Sequence, residues 1–319
     1  MKVILPHALV DRLEPQIRAQ APDIDVVRFD MEGQADGDLS DAEVLVRWWT
    51  PRETLRKLIL SAPRLRWMHT PSAGVDGMLL PELKERSITV TNSAGAQAIP
   101  IAEFVLMFML SHVKQVRALQ ALTPQDAWER GDALHLHELH GATVLIIGLG
   151  EIGREIARRA AAFGMRVWGS RRRPAPAEGV ERVVGEGEWR RLLPEADYVV
   201  VAAPLTDATR GMIDREAFAR MKQGAYLINI ARGQIVDTEA LLEALRAGRL
   251  AGAGLDALPE EPLPADHPLW QAPNVWITPH ISWSSPEIFP RVAEIFLENL
   301  RRYRSGQELV NLVDLEAGY

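Results

Sequence analysis

The sequence predicts an α/β protein with two parallel-sheet units, and three observations carry that reading. Short β-branched apolar runs alternate with helical segments along the chain. A G-x-G-x-x-G turn falls between one such run and a helix. At 319 residues the chain is also too long for one typical domain.

Residues 1 to 95 supply the first unit. Lys2 to Leu5, Val26 to Phe29, Val44 to Trp48, Leu65 to Thr70 and Ile88 to Thr91 read as strands, with helical segments between most of them. The fourth strand leads into Ser72-Ala73-Gly74-Val75-Asp76, a small-residue turn entering a helix. Such a turn offers backbone amides to an anion, although a plain strand-to-helix connection would read the same. Ile101 to Leu119 then reads as one long, largely apolar helix without a turn signal. Thr123 to His140 is polar and irregular. Its His135, His137 and His140 lack the i, i+4 spacing that places two ligands on one helical face, so no metal site is expected.

The second unit begins at Thr143 to Ile147, a continuous apolar run of the kind buried on both faces of a parallel sheet. Gly148, Gly150 and Gly153 follow: the first allows a tight turn, the second lets a pyrophosphate approach the backbone, and the third lets the helix pack on the strand. A helix over about Ile152 to Phe163 would turn its free amides and positive dipole end toward the phosphates. Met165 to Ser170 is the next strand, completing a strand, turn, helix, strand order that points to a dinucleotide.

The residue about 20 positions further on selects between the two nicotinamide dinucleotides, because a carboxylate there holds a free ribose 2′-hydroxyl. Here that position is Arg171, within Ser170-Arg171-Arg172-Arg173. A guanidinium pairs with a 2′-phosphate where a carboxylate would repel it, so NADP is expected, with NAD possible.

Composition excludes several classes. Hydrophobic residues make up 47% and charged residues 25%, which is ordinary for a soluble globular protein. The net charge of -7 gives no general attraction to nucleic acid or an anionic membrane. Cysteine is absent, which removes disulfides, thiolate metal sites and a cysteine nucleophile. MKVILPHALVDRLE turns polar too early for a signal peptide, and Ile99 to Leu110 is too short to span a bilayer. A cytoplasmic protein with no membrane partner is expected.

Three further residues suit one reaction. Tyr198 to Ala203 reads as a strand ending at Pro204, Ala225 to Ile230 as one ending in Ala231-Arg232-Gly233, Gly252 to Leu255 as one leading to Asp256, and Val275 to Thr278 as one leading to His280. Ligands bind beyond the carboxyl ends of parallel strands, so these residues can converge. Arg232 offers a forked donor to a carboxylate and can polarise a neighbouring carbonyl. His280 is the best proton donor in the chain, because imidazole titrates near neutral pH. Glu261, in Pro259-Glu260-Glu261-Pro262, can orient that imidazole. Anion clamp, acid and orienter together suit hydride transfer to a 2-keto acid.

The chain resembles the D-isomer-specific 2-hydroxyacid dehydrogenase family on SAGVD (72 to 76), AIPIAEF (98 to 104), LIIGLGEIG (145 to 153), PLTDATRGMI (204 to 213), INIARGQIVDTEAL (228 to 241), GLDALPEEPLP (254 to 264) and TPHIS (278 to 282). The pattern is most similar to its NADP-using glyoxylate and hydroxypyruvate reductases. The resemblance implies a Rossmann dinucleotide-binding domain over 99–283 and a smaller, discontinuous flavodoxin-like α/β substrate domain from 1–98 and 284–319. It implies Arg232, Glu261 and His280 as the catalytic trio, and Ala73, Gly74, Arg232 and His280 as substrate contacts. Cofactor contacts are expected at Gly148, Gly150, Glu151, Ile152, Gly153, Ser170, Arg171, Arg172, Ala203, Pro204, Thr209, Ala231, Arg232, Asp256 and His280, with Asp256 near the nicotinamide carboxamide. It also implies a homodimer, with the arm at 119–140 in its interface.

Departures from relatives narrow the substrate. Phosphoglycerate-type members carry an arginine near the position of Thr70, and its absence argues against a phosphorylated substrate. Formate dehydrogenases place glutamine where Glu261 stands, which disfavours formate. Glyoxylate or hydroxypyruvate reduction is the expectation. The rival readings are a dehydrogenase for a bulkier 2-keto acid and a non-catalytic, dinucleotide-sensing corepressor of the C-terminal-binding-protein type. Trp48, Trp49 and Trp283 suit either a substrate pocket or packing.

Overall fold

The computed structural model describes residues 1–129 and 134–318. Its contacts divide the chain into two compact units, Met1–Ala96 with Ser285–Tyr319, and Gln97–Ser284.

The first unit is a five-stranded sheet of β1 (Lys2–Pro6), β2 (Asp25–Phe29), β3 (Val44–Val46), β4 (Trp67–His69) and β5 (Thr89–Thr91). All its pairings are parallel, in the order β2-β1-β3-β4-β5. That is the flavodoxin-like order, in which the sequence of strands reverses between β1 and β3. Apolar side chains cover both faces, as a parallel sheet requires. One face holds α1 (His7–Gln20) and α10 (Ile288–Arg304), where Leu13, Ile17, Phe296 and Leu300 bury against Leu5 and Trp67. The other holds α2 (Arg52–Ser61) and α3 (Pro81–Glu85) through Leu55, Leu58, Ile59 and Leu83. After α10 the chain returns to β5, where the Val313 amide donates to the Val90 carbonyl at 2.9 Å.

The second unit is a seven-stranded sheet of β6 (Thr143–Ile147), β7 (Arg166–Ser170), β8 (Arg182–Val184), β9 (Tyr198–Val201), β10 (Ala225–Asn229), β11 (Leu250–Leu255) and β12 (Val275–Ile277). Its order is β12-β11-β10-β9-β6-β7-β8, again parallel throughout. This is the Rossmann order with one strand added, and the reversal lies between β6 and β9. All five residues of β6 are buried. Between β6 and β7, α7 (Glu151–Ala162) buries Gly153, Ile156, Ala157 and Ala160, the i, i+3, i+4, i+7 stripe of one helical face. No helix among the described residues is long and apolar enough to cross a membrane.

One sequence expectation fails. The single helix expected over Ile101 to Leu119 is two, α4 (Ala98–Val113) and α5 (Val116–Gln120). Gln115 breaks it with a left-handed backbone, φ 47°. The cause is the arm, which lies against the helix end: the His137 amide donates to the Val113 carbonyl at 2.9 Å, and the Lys114 Nζ and Gln115 Nε2 donate to the His137 and His135 carbonyls. The first of these occupies the Val113 carbonyl, which a continuing helix would have used, and the two side-chain bonds hold the arm against the helix end. Residues 130–133 of the arm lie outside the described residues.

Candidate active site

In the second unit, the loops that follow β6, β7, β9, β10, β11 and β12 carry the expected cofactor and catalytic residues. The turn after β6 is pinned to the end of β7, because the Gly148 and Leu149 amides both donate to the Ser170 carbonyl, at 3.0 and 2.9 Å. Gly148 has φ 108°, and a Cβ there would sit 2.6 Å from the Ala202 backbone. A Cβ on Gly153 would meet the Gly148 carbonyl at 2.1 Å, so the helix packs on the turn only because residue 153 is glycine. A Cβ on Gly150, by contrast, would meet nothing within 4 Å.

Gly150 is also the N-cap of α7, and no side chain caps that helix. The turn therefore presents open space in front of the first-turn amides, including those of Glu151 and Ile152, at the positive end of a three-turn helix. These residues fit a pyrophosphate on both steric and electrostatic grounds. Arg171 follows the buried Ser170 at the end of β7, half-buried, with its amide donating to the Val184 carbonyl of β8 at 3.1 Å. Arg172 and Arg173 are exposed. Beyond β9, Ala203 is buried, and the Thr209 hydroxyl donates to the Pro204 carbonyl at 2.7 Å, which holds the 204–209 loop closed.

Glu261 and His280 meet. The His280 Nδ1 lies 2.7 Å from Glu261 Oε2, while the other carboxylate oxygen accepts the Leu258 amide at 3.0 Å. An ionised carboxylate only accepts, so Nδ1 carries the proton of that bond and Nε2 is the atom left for proton exchange. His280 has φ 52°, a left-handed conformation in which a side chain is costly. Its loop is held there from two directions. Fully buried Asp256 accepts the Ile281 and Ser282 amides at 2.9 and 3.0 Å and the Thr278 hydroxyl at 2.6 Å. The Trp283 indole donates to the His280 carbonyl at 2.8 Å.

Arg232 is half-buried after β10, with Asn229 acting as its brace. The Asn229 amide nitrogen donates to the Arg232 carbonyl at 2.9 Å and its oxygen accepts the Ala231 amide at 3.1 Å. The next residue seats this loop on the one that carries Glu261. A Cβ on Gly233 would overlap the Leu258 carbonyl at 2.0 Å, and Gln234 Nε2 donates to the Pro259 carbonyl at 2.9 Å. The strand ends of β10, β11 and β12 thus bring a guanidinium loop, a carboxylate and an imidazole into one hydrogen-bonded group of loops.

A chain that folds this way matches known proteins along its length. The family model described as D-isomer specific 2-hydroxyacid dehydrogenase, NAD binding domain, matches residues 106–282. The chain belongs to the D-isomer-specific 2-hydroxyacid dehydrogenase family. A glyoxylate reductase of Korarchaeum cryptofilum is 37% identical over 265 residues, covering 80% of this dehydrogenase and 78% of the relative. A D-isomer-specific 2-hydroxyacid dehydrogenase of Xanthobacter autotrophicus, solved with NADPH and MES, superposes with a TM-score of 0.84 at 30% identity, covering 99% of each chain. An NADPH-dependent glyoxylate/hydroxypyruvate reductase of Sinorhizobium meliloti, solved with NADP and sulfate, gives the same TM-score at 30% identity, covering 100% of this chain and 99% of that one. The dehydrogenase is thus an oxidoreductase that transfers hydride between a nicotinamide dinucleotide and a small 2-keto acid.

In the first unit, the expected substrate turn is also braced. The Asn92 amide nitrogen donates to the Ala73 carbonyl at 2.8 Å, and Asn92 Oδ1 accepts the Ala94 amide at 3.0 Å. Behind it runs a chain of hydrogen bonds in one direction. The Trp67 indole donates to the Thr91 hydroxyl, which faces His69 Nδ1 at 2.9 Å; His69 Nε2 faces the Ser93 hydroxyl at 3.0 Å, and that hydroxyl donates to the Thr70 carbonyl. With the Ser93 hydroxyl donating to Thr70, Nε2 carries a proton, and a neutral ring leaves Nδ1 to accept from the Thr91 hydroxyl. Complete burial agrees, pushing the imidazole down to about 3.

Sequence reading named neither Asn229 nor His69. Asn229 is the single polar residue in the buried run Ala225–Asn229, a signal that a strand end needed a hydrogen-bonding side chain. His69 stands in an otherwise apolar three-residue strand, and only the structure shows what its ring nitrogens meet.

Proposed function

We propose that this dehydrogenase uses NADPH to reduce a small 2-keto acid to the 2-hydroxy acid, with glyoxylate and hydroxypyruvate as its first test substrates. The observation that carries the reading is the His280–Glu261 pair at 2.7 Å beside a braced Arg232 loop. Bound reduced nicotinamide supplies the hydride. Arg232 takes the substrate carboxylate and polarises the carbonyl, and His280 Nε2 gives its proton to the oxygen as charge develops there. Glu261 holds the ring in the orientation that leaves Nε2 facing the reaction. Amides of Ala73 and Gly74 serve as further carboxylate donors.

Arg171 and Arg172 supply the preference for a 2′-phosphate, a reading supported by the two NADP-type relatives described above. Asp256 contributes as the anchor of the 278–282 loop as well as beside the carboxamide. A homodimer through the second unit and a cytoplasmic location complete the proposal.

A panel of 2-keto acids mixed with each reduced cofactor, followed by loss of its absorbance, tests this directly. The expected result is turnover with NADPH at least about tenfold more efficient than with NADH, a difference of about 1.4 kcal/mol. Cofactor binding without consumption across the panel would contradict it.

A further inference from the structure

The turn at 72–76 offers backbone amides, and the direction of one of them is set from outside the turn. A trans peptide is planar, with its carbonyl and its amide hydrogen on opposite sides. The Ala73 carbonyl and the Gly74 amide share one such plane, so the group that holds the carbonyl aims the amide the other way. Asn92 is that group. It is buried at 8% exposure, and its Nδ2 donates to the Ala73 carbonyl at 2.8 Å. The bond also polarises the peptide, which strengthens the Gly74 amide as a donor.

Asn92 is in turn fixed by the segment that follows α10. Asn311 spans residues 92 to 94: its carbonyl accepts the Asn92 amide at 3.0 Å, and its Nδ2 donates to the Ala94 carbonyl at 3.0 Å. Asn92 Oδ1 closes the same short stretch by accepting the Ala94 amide at 3.0 Å. Asn311 reaches these groups from a left-handed backbone, φ 55°, which asparagine adopts more readily than most side chains. The residue before it is clamped to the helix. Fully buried Asn299 of α10 donates to the Val310 carbonyl at 3.0 Å and accepts the Val310 amide at 2.8 Å. Each of these side chains offers both donor and acceptor, as a peptide group does. Together they tie the last helix to the peptide that carries the Gly74 amide, entirely within the first unit.

We propose that Asn92 and Asn311 are positioning residues for the substrate: Asn92 aims the Gly74 amide at the substrate carboxylate, and Asn311 holds Asn92 in place to do so. This rests on the keto-acid reading above, in which the Gly74 amide is a carboxylate donor. Steady-state kinetics with NADPH and the 2-keto acid that the wild type reduces best provide the test. Asn92→Ala should raise the keto-acid KM about 20-fold. Asn311→Gly keeps the left-handed backbone and removes one side-chain bond, so it should raise that KM about fivefold. In both variants kcat and NADPH affinity should stay within about twofold. Because Asn311 acts through Asn92, the double variant should match Asn92→Ala alone to within about twofold. Asn92→Asp keeps the size and the acceptor but loses the donor. It should cost at least as much as alanine, whereas a packing role would leave it near the wild type, and it keeps the test open if the alanine variant does not fold. Unchanged KM in Asn92→Asp or in Asn311→Gly, equal losses of NADPH affinity, or losses that multiply in the double variant would overturn the positioning role. A wild type that reduces no 2-keto acid would instead overturn the reading beneath it.

Discussion

The two sheets end differently, although both are parallel and both order their strands around a reversal. At the strand ends of Gln97–Ser284 charged groups are tied across neighbouring loops: Glu261 takes His280, Asp256 takes three donors from 278–282, and Asn229 braces the backbone of Arg232. At the strand ends of Met1–Ala96 the hydroxyls of Thr70, Ser72 and Thr91, the neutral His69 imidazole and the Asn92 brace of Ala73 lie together. Paired charge fixes the acid and its orientation, as a proton-transfer site requires. Backbone amides held in a braced turn suit recognition of an anion brought from outside. On the proposed reading, the same architecture would serve chemistry in one unit and selection in the other.

Removing the acid should separate them most sharply. His280→Gln is expected to lower kcat by about 10²- to 10⁴-fold, the usual contribution of a positioned general acid, while NADPH affinity stays within about twofold. Full turnover in that variant would assign proton donation elsewhere. Changing the recognition side of the cofactor is a smaller perturbation. Arg171→Ser with Arg172→Ser should raise the NADPH KM by about 10- to 100-fold and leave NADH nearly unaffected, as loss of charged contacts predicts. Parallel losses with both cofactors would instead mean damage to the fold of the β7–β8 corner.

A third effect is on stability, and it belongs to the first unit. The His69 pKa is pushed from 6.5 down to about 3 by burial, so as pH falls below 6.5 the unfolded chain takes up a proton that the folded one refuses. Its contribution is therefore present above that pH and is lost as pH falls toward 3, at up to about 1.4 kcal/mol per pH unit. Urea unfolding of the wild type and His69→Gln between pH 7 and pH 4 should show a shallower pH dependence in the variant. Identical slopes would place the proton elsewhere.

Much of this was legible in the residues. The glycine turn, the strand that precedes it and the helix that follows are local, and periodicity reports them because burial on both faces leaves β6 wholly apolar. The pairing of Glu261 with His280 was expected from motif order and residue chemistry, across 19 positions. Other features depend on contacts between distant segments. The break at Gln115 comes from an arm more than 20 residues ahead, and β8 is a three-residue edge strand whose first residue is a charged Arg182. Neither leaves a periodic trace. The collision that a Cβ at Gly233 would meet is likewise invisible in sequence, since the position reads as one more glycine in a turn.

A double-mutant cycle on kcat with His280→Gln, Glu261→Gln and the pair tests most directly whether the imidazole and carboxylate work as one acid. The account predicts that the double variant is no slower than His280→Gln alone to within about threefold, because residues acting as a unit are not additive. Losses that multiply, with Glu261→Gln costing its full factor even without the imidazole, would show that the carboxylate acts independently of His280.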